Sequence, residues 1–162
     1  MKEFLLVAAM VFCVINAQSQ VKIGINAGVP VGVASDYYNL SLGGDIYYMF
    51  GESKDALLKF GATAGFINYF GDSTDSGGEI DDIQFIPLAI AGRITVLSTL
   101  LFGADIGYGI QLGGEDDGGV YGRVVAGLDL GNTVEINAFY HLTKVVKGMD
   151  FGSAGLGLLI EL

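Results

Sequence analysis

The chain has 162 residues, of which 51% are hydrophobic, with 26 Gly, 2 Pro, 1 Cys, no Trp and a formal net charge of −10. The length suits one domain. The acidic balance argues against nucleic acid as a partner, because phosphate contacts need Lys and Arg. Past the N-terminal segment no uncharged run reaches the roughly 18 residues of a transmembrane helix, although the composition is strongly apolar.

Residues 1–17 read as a secretory signal peptide. Lys2 supplies a charged start, Phe4 to Val14 an apolar core, and Ala17 a small residue at the expected cleavage point. The lone Cys13 lies inside this segment behind the bulky Phe12, which opposes lipid attachment. The remainder, 18–162, holds no cysteine and therefore no disulfide.

A two-residue beat then runs through eight segments: Val21–Val31, Tyr38–Phe50, Leu58–Phe70, Ile83–Val96, Leu100–Leu112, Val120–Leu130, Thr133–Leu142 and Phe151–Leu162. From Phe102 to Leu112 every even position is apolar and every odd one is Gly, Asp or Gln. Strand side chains alternate between faces, so each segment presents one greasy wall and one wall of glycine and polar groups. A soluble sheet clothes its polar face in long Lys, Glu and Thr side chains. A glycine-rich face with scattered charges suits a narrow barrel interior instead. The connections also alternate. Short ones follow the second, fourth and sixth segments, and longer ones, such as Gly71 to Asp82 and Gly113 to Gly119, lie at the other end. That asymmetry is the mark of membrane barrels, with short turns on one side and long loops on the other. The expected fold is all-β: an antiparallel, up-and-down, eight-stranded transmembrane β-barrel. A soluble apolar β-sandwich is the plainer alternative.

The alternation assigns Ile23, Ile25, Leu42, Ile46, Leu88, Ile90, Ile136 and Leu158 to the outer face. Tyr48, Phe50, Phe60 and Phe102 fall near the short turns, and Phe66, Phe70, Tyr108 and Tyr140 toward the long loops. Two aromatic girdles at the membrane boundaries follow from that placement. The inner face receives Lys22, Asp45, Lys59, Arg93, Asp105, Arg123, Asp129, Glu135 and His141 as a lumenal polar network. Buried charges must pair. A turn that sets Leu97 opposite Leu101 would place Arg93 opposite Asp105 as a lumenal ion pair.

Three stretches carry a resemblance: Val21-Lys22-Ile23-Gly24-Ile25-Asn26-Ala27-Gly28, Phe102-Gly103-Ala104-Asp105-Ile106-Gly107-Tyr108-Gly109, and Gly155-Leu156-Gly157-Leu158-Leu159-Ile160-Glu161-Leu162. On these the chain resembles the small eight-stranded outer-membrane β-barrels of diderm bacteria, the porin-like or OmpA-transmembrane-like group. The resemblance implies an outer-membrane location, contact with outer-membrane lipid, and reading of the last strand by the barrel-assembly machinery. The last strand ends in Leu162, where that group usually has an aromatic residue.

Chemistry is sparse. The sole histidine, His141, has only Ser153 within reach as a conceivable nucleophile, and no orienting third group can be named. No enzyme activity, cofactor or metal is expected. The loop residues Asp72, Asp75, Glu79, Asp81, Asp82, Glu115, Asp116 and Asp117 are plentiful in oxygen ligands but lack the EF-hand spacing. The expected function is a non-enzymatic envelope component with weak porin-like passage of small solutes. Three rivals stand beside it. One is a surface-binding module using the acidic loops and Tyr37-Tyr38. The second is a carrier of small apolar solutes through the wall or lumen. The third is a soluble periplasmic lipocalin-like binder with the apolar face turned inward.

Overall fold

The computed structural model describes residues 20–50, 57–72, 80–113, 118–130, 133–145 and 148–162. Eight strands follow one another: β1 (Gln20–Val31), β2 (Tyr38–Phe50), β3 (Leu58–Gly71), β4 (Ile83–Val96), β5 (Leu100–Leu112), β6 (Gly118–Leu130), β7 (Val134–Val145) and β8 (Phe151–Glu161). Each pairs antiparallel with its sequence neighbours, and β1 closes on β8 to complete the barrel. A short 3-10 turn, Gly32–Asp36, links β1 to β2. The expected signal segment lies outside the described residues.

The wall is staggered. Hydrogen-bonded partners traced once around it run from Val21 through Tyr48, Ala62, Ile90, Ile106, Gly122, Leu142 and Gly152. They return to Val31, ten residues further along β1. A stagger of that size across eight strands tilts each strand by about 40°. All the outward side chains of β5, from Leu100 to Leu112, are apolar. At about 3.4 Å per residue and that tilt, they cover roughly 30 Å, the thickness of a hydrocarbon core.

Two strand limits differ by more than one residue from those read in the sequence. Strand β6 starts at Gly118 rather than Val120, and β7 runs on to Val145 rather than stopping at Leu142. The two extensions pair with one another, Gly119 with Val145 and Val120 with Lys144. Gly118 has a φ of 116°, which a residue with a side chain rarely adopts. At the start of β2 the register with β3 slips between Tyr38 and Leu40. This bulge leaves Asn39 and Leu40 exposed and swings Tyr38 into the lumen.

The tight turn between β4 and β5 corrects the expected register. Its loop is Leu97-Ser98-Thr99, with Val96 opposite Leu100 and the Thr99 N–H donating to the Val96 carbonyl at 3.3 Å. Arg93 therefore faces Gly103, and Asp105 faces Ala91. Leu97 and Ser98 sit at φ of 54° and 58°, in the left-handed region that Asn or Gly tolerates far better. Leu97 is 82% exposed, so it gains little from packing in return. Leu97→Asn is expected to raise the unfolding free energy in vesicles by about 0.5–1 kcal/mol, the relief of one left-handed residue. Urea unfolding in which the variant is no more stable than the parent would remove this account of the turn.

Candidate functional site

The inward side chains fall into layers along the barrel axis. Near the short turns lie Lys22, Lys59, Arg93, Asp129 and Glu135 around a cavity of about 10 Å³, closed by Met49, Leu101 and Leu159. The Lys22 ammonium donates to Glu135 at 3.1 Å and lies 3.9 Å from Asp129. The Asn137 amide also donates to Glu135, at 2.8 Å.

Above this comes a knot built from five strands. The Arg93 guanidinium grips Asp105 with two nitrogens, at 2.5 and 3.2 Å. The expected partners thus do meet, but along a diagonal. Arg93 must lie down over Gly103 to reach Asp105, because a Cβ there would sit 2.5 Å from Arg93 Cδ. Arg123 faces Asp105 directly across β5 and β6. It nonetheless reaches across the lumen to Asp45, at 2.7 Å. Asn26 donates to the same Asp45 oxygen at 2.7 Å, and the Tyr47 hydroxyl donates to Asp105 at 2.8 Å. The two guanidinium groups also cover rings, Arg93 on Tyr47 at 4.9 Å and Arg123 on Phe139 at 4.5 Å. Among the described residues, the buried charged side chains number four cations (Lys22, Lys59, Arg93, Arg123) and four carboxylates (Asp45, Asp105, Asp129, Glu135). That balance answers the cost of taking charge out of water.

Toward the long loops the lumen is filled with aromatic and aliphatic groups. Tyr38, Ile67, Tyr69, Phe85, Tyr121, Val145 and Phe151 form one buried cluster, with ring centroids 5.0–6.2 Å apart among Tyr38, Tyr69, Phe85 and Phe151. Sequence reading confined the inner face to glycine and polar residues and so missed this plug. The signal was present: Tyr47, Tyr69, Phe85, Tyr121 and Phe139 share the numbering parity of the lumenal charges on their own strands. Tyr38, expected with Tyr37 on a binding surface, belongs to the plug, and only Tyr37 is exposed.

His141 sits at the base of the plug. Its Nε2 and the Tyr69 hydroxyl are 2.8 Å apart, and Phe139 stacks on its ring at 5.4 Å. Ser153 is opposite His141 in the register. Its hydroxyl, however, donates to the Val29 carbonyl at 3.1 Å and shares a 2.5 Å contact with the Ser41 hydroxyl. With its proton directed at Val29, Ser153 can only accept from Ser41, so the pair is not arranged as base and nucleophile. His141 and Ser153 are at most 1% exposed, which leaves no room for a substrate.

Of the acidic loop residues, Asp72, Asp81 and Asp82 are described and exposed, whereas Asp75, Glu79, Glu115, Asp116 and Asp117 lie outside the described residues. Asp82 ties the base of its loop, accepting from the Asn68 amide at 3.0 Å and the Gly71 N–H at 3.1 Å. Among the described residues no three acidic, His or Cys side chains come together as a group able to hold a metal ion. The outer face is a wall of exposed Ile, Leu, Val and Phe, and the polar groups point inward. This orientation is opposite to the lipocalin-like alternative, which needs an apolar interior.

Removing one member of a buried pair leaves the other charge stranded. Arg93→Met is expected to cost about 3 kcal/mol, and the double variant Arg93→Met/Asp105→Leu to recover most of it, because removing both charges also removes their desolvation cost. Urea unfolding in lipid vesicles reads both values. A single variant as stable as the parent would mean that the pair contributes nothing.

No protein-family model matches the sequence, and no curated protein matches it. Solved structures do resemble its fold. The outer-membrane protein Ail of Yersinia pestis, determined in a phospholipid bilayer nanodisc, aligns with a TM-score of 0.58 at 15% identity, over 90% of this chain and 100% of that one. A de novo designed transmembrane β-barrel aligns with a TM-score of 0.54 at 10% identity, over 88% of this chain and 95% of the design. Neisserial surface protein A aligns with a TM-score of 0.50 at 14% identity, over 89% of this chain and 96% of that protein. The chain has the closed, eight-stranded, up-and-down fold of the small outer-membrane β-barrels.

Proposed function

We propose that the protein is an integral, non-enzymatic outer-membrane barrel that acts through its loop end, with the lumen serving as an internal brace. The observation that carries this reading is the interior, which is filled and charge-balanced beneath an apolar outer wall. The four buried cations and four buried carboxylates cancel, so the net −10 of the chain resides outside that set. By sequence, the segments joining strands at the long-loop end (32–37, 72–82, 113–117 and 146–150) hold ten Asp or Glu against one Lys. An excess of acidic residues in the segments at that end favours cationic partners and repels anionic ones. Ail is the attachment invasion locus protein of Yersinia pestis, and a surface-contact role for the present chain agrees with that name. In this reading residues 1–17 are the removed leader, β8 is what the barrel-assembly machinery engages, and outer-membrane lipid covers the wall.

Weak passage of small solutes is the second reading. It requires the plug of Tyr38, Tyr69, Phe85 and Phe151 to move aside, and its tight ring packing favours the brace instead. Two measurements test the proposal. Protein from detergent-extracted outer membranes is expected to migrate differently with and without boiling. The folded protein in a planar bilayer is expected to show no unit conductance. A soluble periplasmic protein with unchanged mobility would overturn the membrane reading, and steady single-channel steps would restore passage.

A further inference from the structure

The outer wall is not uniform. Where β7, β8, β1 and β2 meet, a groove of about 490 Å³ runs along it, lined by Ile25, Ala27, Leu42, Ile136, Leu156 and Leu158, with Gly43, Gly157 and Asn26 between them, the last turning its amide into the lumen to Asp45. The register explains its shape. Ala27 lies directly between Leu42 on β2 and Leu156 on β8, so one methyl group forms the floor between two isobutyl walls. Below it Ile25 lies between Gly44 and Leu158, and Ile136 continues the wall beyond Leu158. The volume is within the roughly 300–1,000 Å³ of small-ligand clefts. The outward side chains that line it are aliphatic.

We propose that this groove holds one acyl chain of a bilayer phospholipid as a bound lipid, distinct from the exchanging lipid around the rest of the wall. The inference rests on reading the barrel as membrane-embedded. Its position then dictates the occupant. Ala27 lies midway along β1, deep within the apolar band, where hydrocarbon is the surrounding medium. A lining of six aliphatic side chains gives a flexible chain continuous dispersion contact and offers nothing to a polar head, which must lie beyond the groove. A protein partner is a poor fit, because a stable interface buries roughly 800 Å² on each side, far more than so narrow a groove presents.

The test uses the full barrel folded into dioleoylphosphatidylcholine vesicles, extracted into detergent and weighed by native mass spectrometry. The parent is expected to retain one phospholipid. Ala27→Phe fills the floor, and retention is expected to fall about tenfold, the loss for excluding about two buried methylene groups. Ala104→Phe places the same ring on the outer face of β5 and is expected to keep the lipid. Ala27→Leu, a gentler filling, is expected to fall between and serves if the Phe variant does not fold, as judged by boiling-dependent mobility. A parent that retains no lipid, or equal retention by both Phe variants, would overturn the inference while the membrane reading stood. A parent that never enters the vesicles would overturn the membrane reading itself.

Discussion

The structure depends on the bore of a closed wall. In a hydrocarbon medium every backbone N–H and C=O needs a partner within the protein, and a sheet meets that demand only by closing on itself. Eight strands with a ten-residue stagger close into a cylinder whose interior accepts side chains and little else. Whatever the inward positions carry must pack and must neutralise. Four buried cations and four buried carboxylates do so, and the aromatic plug completes the filling at the loop end.

Glycine makes this packing possible in a specific way. A long lumenal side chain cannot stand straight out from the wall in so narrow a bore, so it lies across a neighbouring strand. The strand beneath must then lack a Cβ. Arg93 lies over Gly103, Asp45 over Gly65 and Asn26 over Gly43. The alternation of glycine and charge along each strand is thus one half of a cross-strand fit, with the other half written on the adjacent strand. Partner choice follows the same logic. Arg123 passes over its opposite neighbour Asp105 because Arg93 already holds that carboxylate from the other side, and Asp45 across the lumen is left to receive it.

Much of the fold was legible because a barrel wall obeys one simple period. Strand number, most strand limits to within one residue and the inner or outer face of most residues follow from alternation alone, and Asp105, Ile106 and their neighbours show it without interruption. What alternation cannot supply is register. A shift of two residues leaves every side chain on the same face, so the turn at Leu97 could not be placed from sequence, and Arg93 was set opposite Asp105 instead of Gly103. The plug is missed for a different reason. The inner face reads as glycine and polar groups alone, although the parity of Tyr69, Phe85 and Tyr121 places them inside. Tyr38 was beyond reach of parity, because the bulge before Leu40 reverses it. The groove at Ala27 depends on which outward residues become neighbours across three strand pairs, and that again is register.

The cross-lumen bonds also bear on how the chain folds. They join residues far apart in sequence: Lys22 with Glu135 is a separation of 113, Ser41 with Ser153 of 112, and Arg123 with Asp45 of 78. No hairpin or partial sheet can form them, since the partners meet only when the wall has curved round. Their free energy is therefore absent from early intermediates and arrives at closure. Contacts of such sequence separation make folding slow, and charges awaiting distant partners penalise any half-closed sheet in lipid. The brace that holds the finished barrel is, during assembly, a barrier that makes closure all-or-none.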